Sequence, residues 1–272
     1  MQSLLKEGLD INNKTSMKAK IIAVANHKGG VGKTASVASI GAILASRGKK
    51  VLLVDLDTQA NLTRHFMENI PPRIIYHAIR EQSNLPIYPI RTNLDIVPSG
   101  LDMAGIDLEL QMMFNRERVL KVLLDPYNSI YDYIILDCPP ALGLVTINAL
   151  TAATHLIVPM KADLMSNYGL SMMDQFCVKM QVLNPGIHID YIFFNIYEKG
   201  QTITDAIEAD VREKYGDRVL STVVRKNNDV SKAAFDFTDI VSFNPDANGA
   251  KDFQSLVTEL ESKIQLKHYI FI

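Results

Sequence analysis

The chain has 272 residues, 47% of them hydrophobic, which is enough to bury a full core and sits near the upper size of a single α/β domain. Lys+Arg 28 against Asp+Glu 30 leaves a formal charge of -2, so the chain is no globally basic binder of nucleic acid or anionic lipid, and any polyanion site must be a local patch. Its two cysteines, Cys138 and Cys177, have no CxxC spacing and no Cys/His cluster, which argues against a disulfide framework, a structural zinc or a cysteine-held cluster and reads as two reduced core thiols.

The first sixteen residues carry Lys6, Glu7, Asp10 and Lys14 and lack the apolar core of a signal peptide, so residues 1–18 are expected to be a flexible extension. No stretch reaches the roughly 18 apolar residues that span a bilayer, and a soluble, cytoplasmic protein is the expectation. From Ile21 onward, short apolar runs alternate with stretches of helical spacing. Strands are predicted at Ile21–Ala25, Val51–Asp55, Leu94–Val97, Tyr133–Asp137, His155–Met160, Ile189–Asn195 and Val219–Val224. Several of these runs are apolar throughout, as strands covered on both faces are. Val37, Ile40, Gly41, Leu44 and Ala45 mark one helix face, with Gly48 able to end the helix; Phe253, Leu256, Val257, Leu260 and Ile264 mark another. The predicted fold is therefore α/β: one doubly wound, mostly parallel sheet over 19–265, helices on both faces, ligands beyond the carboxyl ends of the strands, and a C-terminal tail over 266–272.

Between the first strand and the first helix runs Lys28-Gly29-Gly30-Val31-Gly32-Lys33-Thr34. Strand, glycine-rich turn and helix N-terminus together make a phosphate loop: glycines let backbone N–H groups curl around an anion without Cβ clashes, and the helix end adds partial positive charge. The N–H groups of Gly29, Gly30, Val31, Gly32, Lys33, Thr34 and Ala35 form the candidate nucleotide cradle. Lys33 would reach the β- and γ-phosphates and Thr34 would ligate Mg²⁺, which makes ATP and Mg²⁺ the expected cofactors. His27 stands where the strict GxxxxGK[ST] pattern has its first glycine, and Lys28 adds a second lysine before the double glycine. Two further strands end in acids, Asp55-Leu56-Asp57 and Asp137 before Cys138-Pro139-Pro140. An acid after an apolar run is often only a cap or turn residue, but beside a phosphate loop these acquire roles. Asp137 fits the acid that holds Mg²⁺ through its waters, Asp55 helps order that shell, and Asp57 is left to orient the attacking water. Aspartate is a weak base near neutrality, so slow hydrolysis that rests on positioning is expected.

Assembled, these residues resemble the ParA/MinD family of deviant Walker ATPases, and within it the ParA branch that segregates DNA. The match runs from about Lys20 to Ser262: Asn26-His27 through Thr34, Asp55-Leu56-Asp57-Thr58-Gln59-Ala60-Asn61, Leu136-Asp137-Cys138-Pro139-Pro140, and a longer stretch from Asp217 through Ser231-Lys232-Ala233 to Asn244-Pro245-Asp246-Ala247-Asn248-Gly249-Ala250. The resemblance implies an ATP-sandwich homodimer in which Lys28 crosses to the partner subunit's phosphates, catalysis by Lys28, Lys33 and Asp57, and contact of Asn227 with adenine. It also implies ATP-dependent binding to nonspecific DNA, a nucleoid-associated ATP state, and a ParB-like partner that stimulates hydrolysis.

Two places depart from the family. Arg225-Lys226-Asn227-Asn228-Asp229 stands where ParA proteins usually read Pro-Arg-Asn-Val-Arg, and Thr58 replaces a usual proline, which loosens the turn. Arg225, Lys226 and Lys232 are the candidate DNA contacts, with Asp229 subtracting charge among them. Two other functions compete with segregation. The apolar end Tyr269-Ile270-Phe271-Ile272 allows a MinD-like membrane switch, although so short a tail beside only Lys263 and Lys267 is a marginal anchor. A metabolic or cluster-assembly ATPase would use the same loop, but no cysteine pair and no second substrate motif supports it.

Overall fold

The computed structural model describes residues 18–270, with side chains through Leu266. The expected 1–18 extension thus lies outside the described residues except for Lys18, and so do the side chains of the 266–272 tail past Leu266. Seven strands form one sheet among the described residues: β1 Lys20–Val24, β2 Val51–Asp55, β3 Tyr88–Arg91, β4 Leu94–Val97, β5 Tyr133–Asp137, β6 His155–Met160 and β7 Tyr191–Phe194. Their order is β3-β4-β2-β5-β1-β6-β7, parallel except for the β3·β4 hairpin. The helices are α1 Lys33–Ser46, α2 Asn61–Phe66, α3 Ile75–Glu81, α4 Ile106–Gln111, α5 Val119–Leu124, α6 Leu144–Ala152, α7 Leu164–Met180, α8 Thr202–Tyr215, α9 Asn228–Phe235, α10 Ile240–Phe243 and α11 Asn248–Ile270.

Strand side chains alternate between two cores. Ile22, Val24, Leu53, Ile135, Ile157 and Phe193 pack with α1 and α11 on one face. Ile21, Ala23, Leu52, Val54, Ile134, Leu136 and Val158 pack on the other face, where residues of α3 through α8 close the layer. Because both faces are covered, the strands need apolar residues at every position, which is why the runs do not alternate. Gly41 sets the distance of α1 from the sheet, since a Cβ there would meet Leu53 Cδ2 at 2.5 Å. The stripe predicted on the last helix is fully used: Phe253, Leu256, Val257, Leu260 and Ile264 are all buried. At ~1.5 to 3 kcal/mol per large side chain, this face supplies a gross ~7 to 15 kcal/mol toward docking α11, an upper bound because unfolded chains already bury part of their surface.

Two differences from the sequence reading have local causes. Tyr88–Arg91 forms an antiparallel edge strand that apolar runs do not announce, because Pro89 and a register shift between Pro89 and Arg91 break its pattern, as only an edge tolerates. Val219–Val224 is not a strand. Its Leu220 and Val224 N–H groups donate to Ile192 and Phe194 carbonyls beside β7, but the Ser221 and Thr222 N–H groups between them turn to the Glu259 carboxylate at 2.8 and 2.9 Å. The ladder is interrupted by a side chain from α11.

Candidate functional site

The phosphate loop leaves the middle of the sheet at the carboxyl end of β1, where the strands that follow it in the chain lie on both sides. Asn26, fully buried, anchors the start of the loop: its Nδ2 donates to the Pro159 carbonyl at 2.8 Å, and its Oδ1 accepts the Lys28 N–H at 2.9 Å. His27 Nδ1 lies 3.2 Å from the Pro140 carbonyl, joining this loop to the one after β5. Gly30 and Gly32 take φ of +71° and +83°, the left-handed region that admits glycine without strain. Gly32 also lies tight against another segment, since a Cβ there would lie 2.3 Å from Asn195 Nδ2.

Lys33 begins α1 and folds back under the loop. Its ammonium sits 3.3 Å from the carbonyls of Asn26 and Lys28, and burial lowers its pKa while Asp137 and Asp57 work against that shift. Asp137 ends β5, in register with Asp55 on β2 and Val24 on β1. Both Asp137 carboxylate oxygens are buried without a hydrogen-bond partner of good geometry. Burial first, then the Asp55 charge, pushes its pKa well up, with the Thr34 hydroxyl and Lys33 nearby opposing. An orphaned acid in contact range of a hydroxyl and an ammonium fits the donor chemistry of a divalent cation with phosphate ligands.

Asp55 is placed differently from the expectation of a free shell acid. It is fully buried, its Oδ1 accepts the Asp57 N–H at 3.1 Å, and its Oδ2 accepts the Thr63 N–H and hydroxyl at 2.8 and 2.7 Å. Burial raises its pKa despite those bonds. Asp57 is half-buried at the mouth, where its Oδ1 accepts the Gln59 N–H at 3.0 Å.

Lys28 points within its own subunit. Its ammonium lies 2.7 Å from both oxygens of Asp163 and 3.2 Å from Ser166 Oγ. Asp163 caps α7 by accepting the Ser166 N–H, and although burial raises its pKa, the Lys28 and Ser166 bonds more than offset this and hold it below the ordinary range. Neither Asp163 nor Asn195, whose Nδ2 donates to the Val31 carbonyl at 3.0 Å, belongs to a motif. The only signal for them is position, since both lie just past the carboxyl ends of parallel strands.

A cleft of about 530 Å³ opens past the carboxyl end of β7, lined by Tyr197, Glu198, Lys199, Arg225, Lys226, Asn227 and Asn228. Asn227 caps α9 by accepting the Asp229 N–H at 2.7 Å, which leaves its amide nitrogen available to the cleft. The expected basic patch is not assembled here. Arg225 holds Asp252 through two nitrogens at 2.9 and 2.7 Å, Lys226 pairs with Glu198 at 3.1 Å, and Lys232 pairs with Asp229 at 2.9 Å. A second cleft, about 420 Å³, lies by Ala42–Gly48 at the other end of α1, but its charged groups Arg91 and Asp239 pair with each other at 2.6 Å.

A family model described as an AAA domain matches residues 19–189. The chain is 34% identical over 247 residues to the sporulation initiation inhibitor protein Soj of Bacillus subtilis, covering 89% of this chain and 98% of that protein. It is 32% identical over 249 residues to the chromosome-partitioning ATPase Soj of Treponema pallidum, covering 90% and 98%. Among solved structures, the cobyrinic acid a,c-diamide synthase of Mycobacterium smegmatis with bound ADP and magnesium superposes with a TM-score of 0.77 at 29% identity, covering 92% of this chain and 95% of that one. A putative plasmid partition protein of Borrelia burgdorferi bound to AMPPNP superposes with a TM-score of 0.76 at 27% identity, covering 92% and 100%.

Proposed function

The chain belongs to the ParA/MinD family of P-loop ATPases, in its ParA branch, and from that membership we propose that it is a DNA-segregation switch in which bound ATP assembles a sandwich dimer that holds nonspecific DNA. It is an ATPase of the partitioning kind that uses ATP and Mg²⁺. The observation that carries the site assignment is the buried carboxylate of Asp137, without a well-formed hydrogen bond and with Thr34 and Lys33 beside it at the root of the phosphate loop.

Thr34 and Asp137 would hold the Mg²⁺, with Asp55 behind them, and the ion supplies charge neutralisation on the phosphates when bound. The N–H groups of Gly29 through Ala35 bind the phosphate oxygens, and Lys33 exchanges its loop carbonyls for the β- and γ-phosphates. Asp57 orients the attacking water from the mouth of the site. Asn227 offers its amide nitrogen to the adenine ring. Lys28 leaves Asp163 and crosses to the partner subunit's phosphates, and hydrolysis returns it. The apolar residues Leu164, Met165 and Tyr168, exposed at the start of α7 beside Lys28, support a face that becomes covered in the dimer. DNA contact by Arg225, Lys226 and Lys232 requires each to trade a carboxylate for a phosphate. A ParB-like partner accelerates turnover, and the protein acts in the cytoplasm, on the nucleoid when ATP-bound. No helix among the described residues is long and apolar enough to cross a membrane.

Cosedimentation tests this reading, with sheared nonspecific DNA in one arm and anionic liposomes in the other, each with ATP, ADP or no nucleotide. DNA should pellet the protein with ATP alone, and log affinity should fall against log salt by about 0.9 per phosphate neutralised. Pelleting with liposomes and not with DNA would replace segregation by a membrane-associated positioning switch.

A further inference from the structure

Three buried hydroxyl and carboxyl side chains from separate elements form one network, two of whose members bond the backbone of Asp57. Asp55 at the end of β2, Thr63 in α2 and Ser99 just after β4 are each fully buried. Thr63 Oγ1 donates to Asp55 Oδ2 at 2.7 Å and accepts the Ser99 N–H at 2.8 Å. Ser99 Oγ in turn donates to the Asp57 carbonyl at 2.7 Å, while Asp55 Oδ1 accepts the Asp57 N–H at 3.1 Å. The peptide groups on both sides of Asp57 are therefore held, one through Asp55 and one through Ser99, with Thr63 joining the two supports. The same Asp57 carbonyl also accepts the Ala60 N–H at 3.0 Å, which closes the turn in front of α2.

A side chain that positions water is only as accurate as the Cα that carries it. The Asp57 loop connects β2 to a helix of six residues, too short to brace it alone. A fully satisfied buried polar network gives geometric definition that apolar packing of the same volume would not, because hydrogen bonds fix direction as well as distance. We propose that Thr63 and Ser99 are positioning residues for hydrolysis, holding the Asp57 backbone so that its carboxylate meets the attacking water. This rests on the reading of Asp57 as the water-orienting acid. Neither residue faces the nucleotide cleft, so their effect falls on turnover and spares nucleotide affinity.

The test is single-turnover phosphate release, with enzyme in excess over ATP and well above the separately measured ATP Kd, for Thr63→Val, Thr63→Ser, Ser99→Ala and Asp57→Ala, and for Thr63→Val combined with Asp57→Ala. Thr63→Val keeps shape but removes both hydroxyl bonds, and it should cut the hydrolysis rate by about 10- to 100-fold, the range a misplacement near 1 Å produces, without changing the ATP Kd. Thr63→Ser should restore the rate. Ser99→Ala removes the bond to the Asp57 carbonyl and should give a loss of the same kind; it carries the test if Thr63→Val unfolds. The double variant should be no slower than Asp57→Ala alone, since residues acting through one group are not additive. Wild-type rates in both Thr63→Val and Ser99→Ala, a parallel loss of ATP affinity, or further slowing on top of Asp57→Ala would each overturn the inference. Wild-type turnover in Asp57→Ala would instead remove the parent reading, so the two failures are distinguishable.

Discussion

Replacing Asp163 by Asn isolates the cost of releasing Lys28 from its own subunit. The substitution removes the charge that Lys28 faces at 2.7 Å, yet asparagine is as good a helix cap as aspartate, so the bond from the Ser166 N–H and the start of α7 survive. With side-chain exposures of 27% and 41%, the pair is partly solvated and screened, and about 0.5 to 1 kcal/mol is the appropriate scale for it. The proposed sandwich dimer would break two such pairs, so the total is roughly 1 to 2 kcal/mol, or about 5- to 30-fold in the dimer dissociation constant. Asp163→Asn should therefore dimerise that much more tightly with ATP, and the gain should shrink as salt rises. Sedimentation equilibrium in an Asp57→Ala background, where hydrolysis is slow enough to leave ATP undepleted over the run, reads this constant directly. An unchanged or weaker dimer at low salt would mean that Lys28 does not have to leave Asp163, and the crossing role for Lys28 would fall with it.

Two other substitutions address the phosphate loop. Lys33→Ala should abolish productive Mg-ATP binding in titration calorimetry, because the buried ammonium is the side-chain cation nearest the cradle; wild-type affinity would sink the assignment of the loop. Asn195→Asp keeps size and the bond to the Ile196 N–H but turns an N–H donor into an oxygen against the Val31 carbonyl. It should weaken ADP and ATP binding by about tenfold, on the scale of ~1 to 3 kcal/mol for an unsatisfied buried acceptor, while AMP binding holds. Equal losses for AMP and ADP would point to general damage and not to a displaced phosphate loop.

The sequence by itself was sufficient for whatever one continuous stretch of chain can hold. The phosphate loop needs only a strand, glycines able to take positive φ and a helix N-terminus, all within Lys20–Ser46, so the strand–loop–helix conformation was legible from the sequence. The runs ending in Asp55 and Asp137 were legible as parallel strands because burial on both faces demands uninterrupted apolar residues. Tertiary structure decided what depends on partners remote in the chain. Lys28 meets an acid 135 residues away, and Asn195 braces a loop 164 residues away. Asp55 reads as a cation acid in its motif, but its oxygens are taken up by Asp57 and Thr63. Arg225, Lys226 and Lys232 read as a basic patch along the chain, yet each finds a carboxylate, and the apolar run Val219–Val224 loses its ladder to Glu259. In each case the residue's chemistry was visible and its partner was not, because a parallel sheet brings together the ends of strands that the chain keeps far apart, and hydrogen-bond and charge pairing are settled only there.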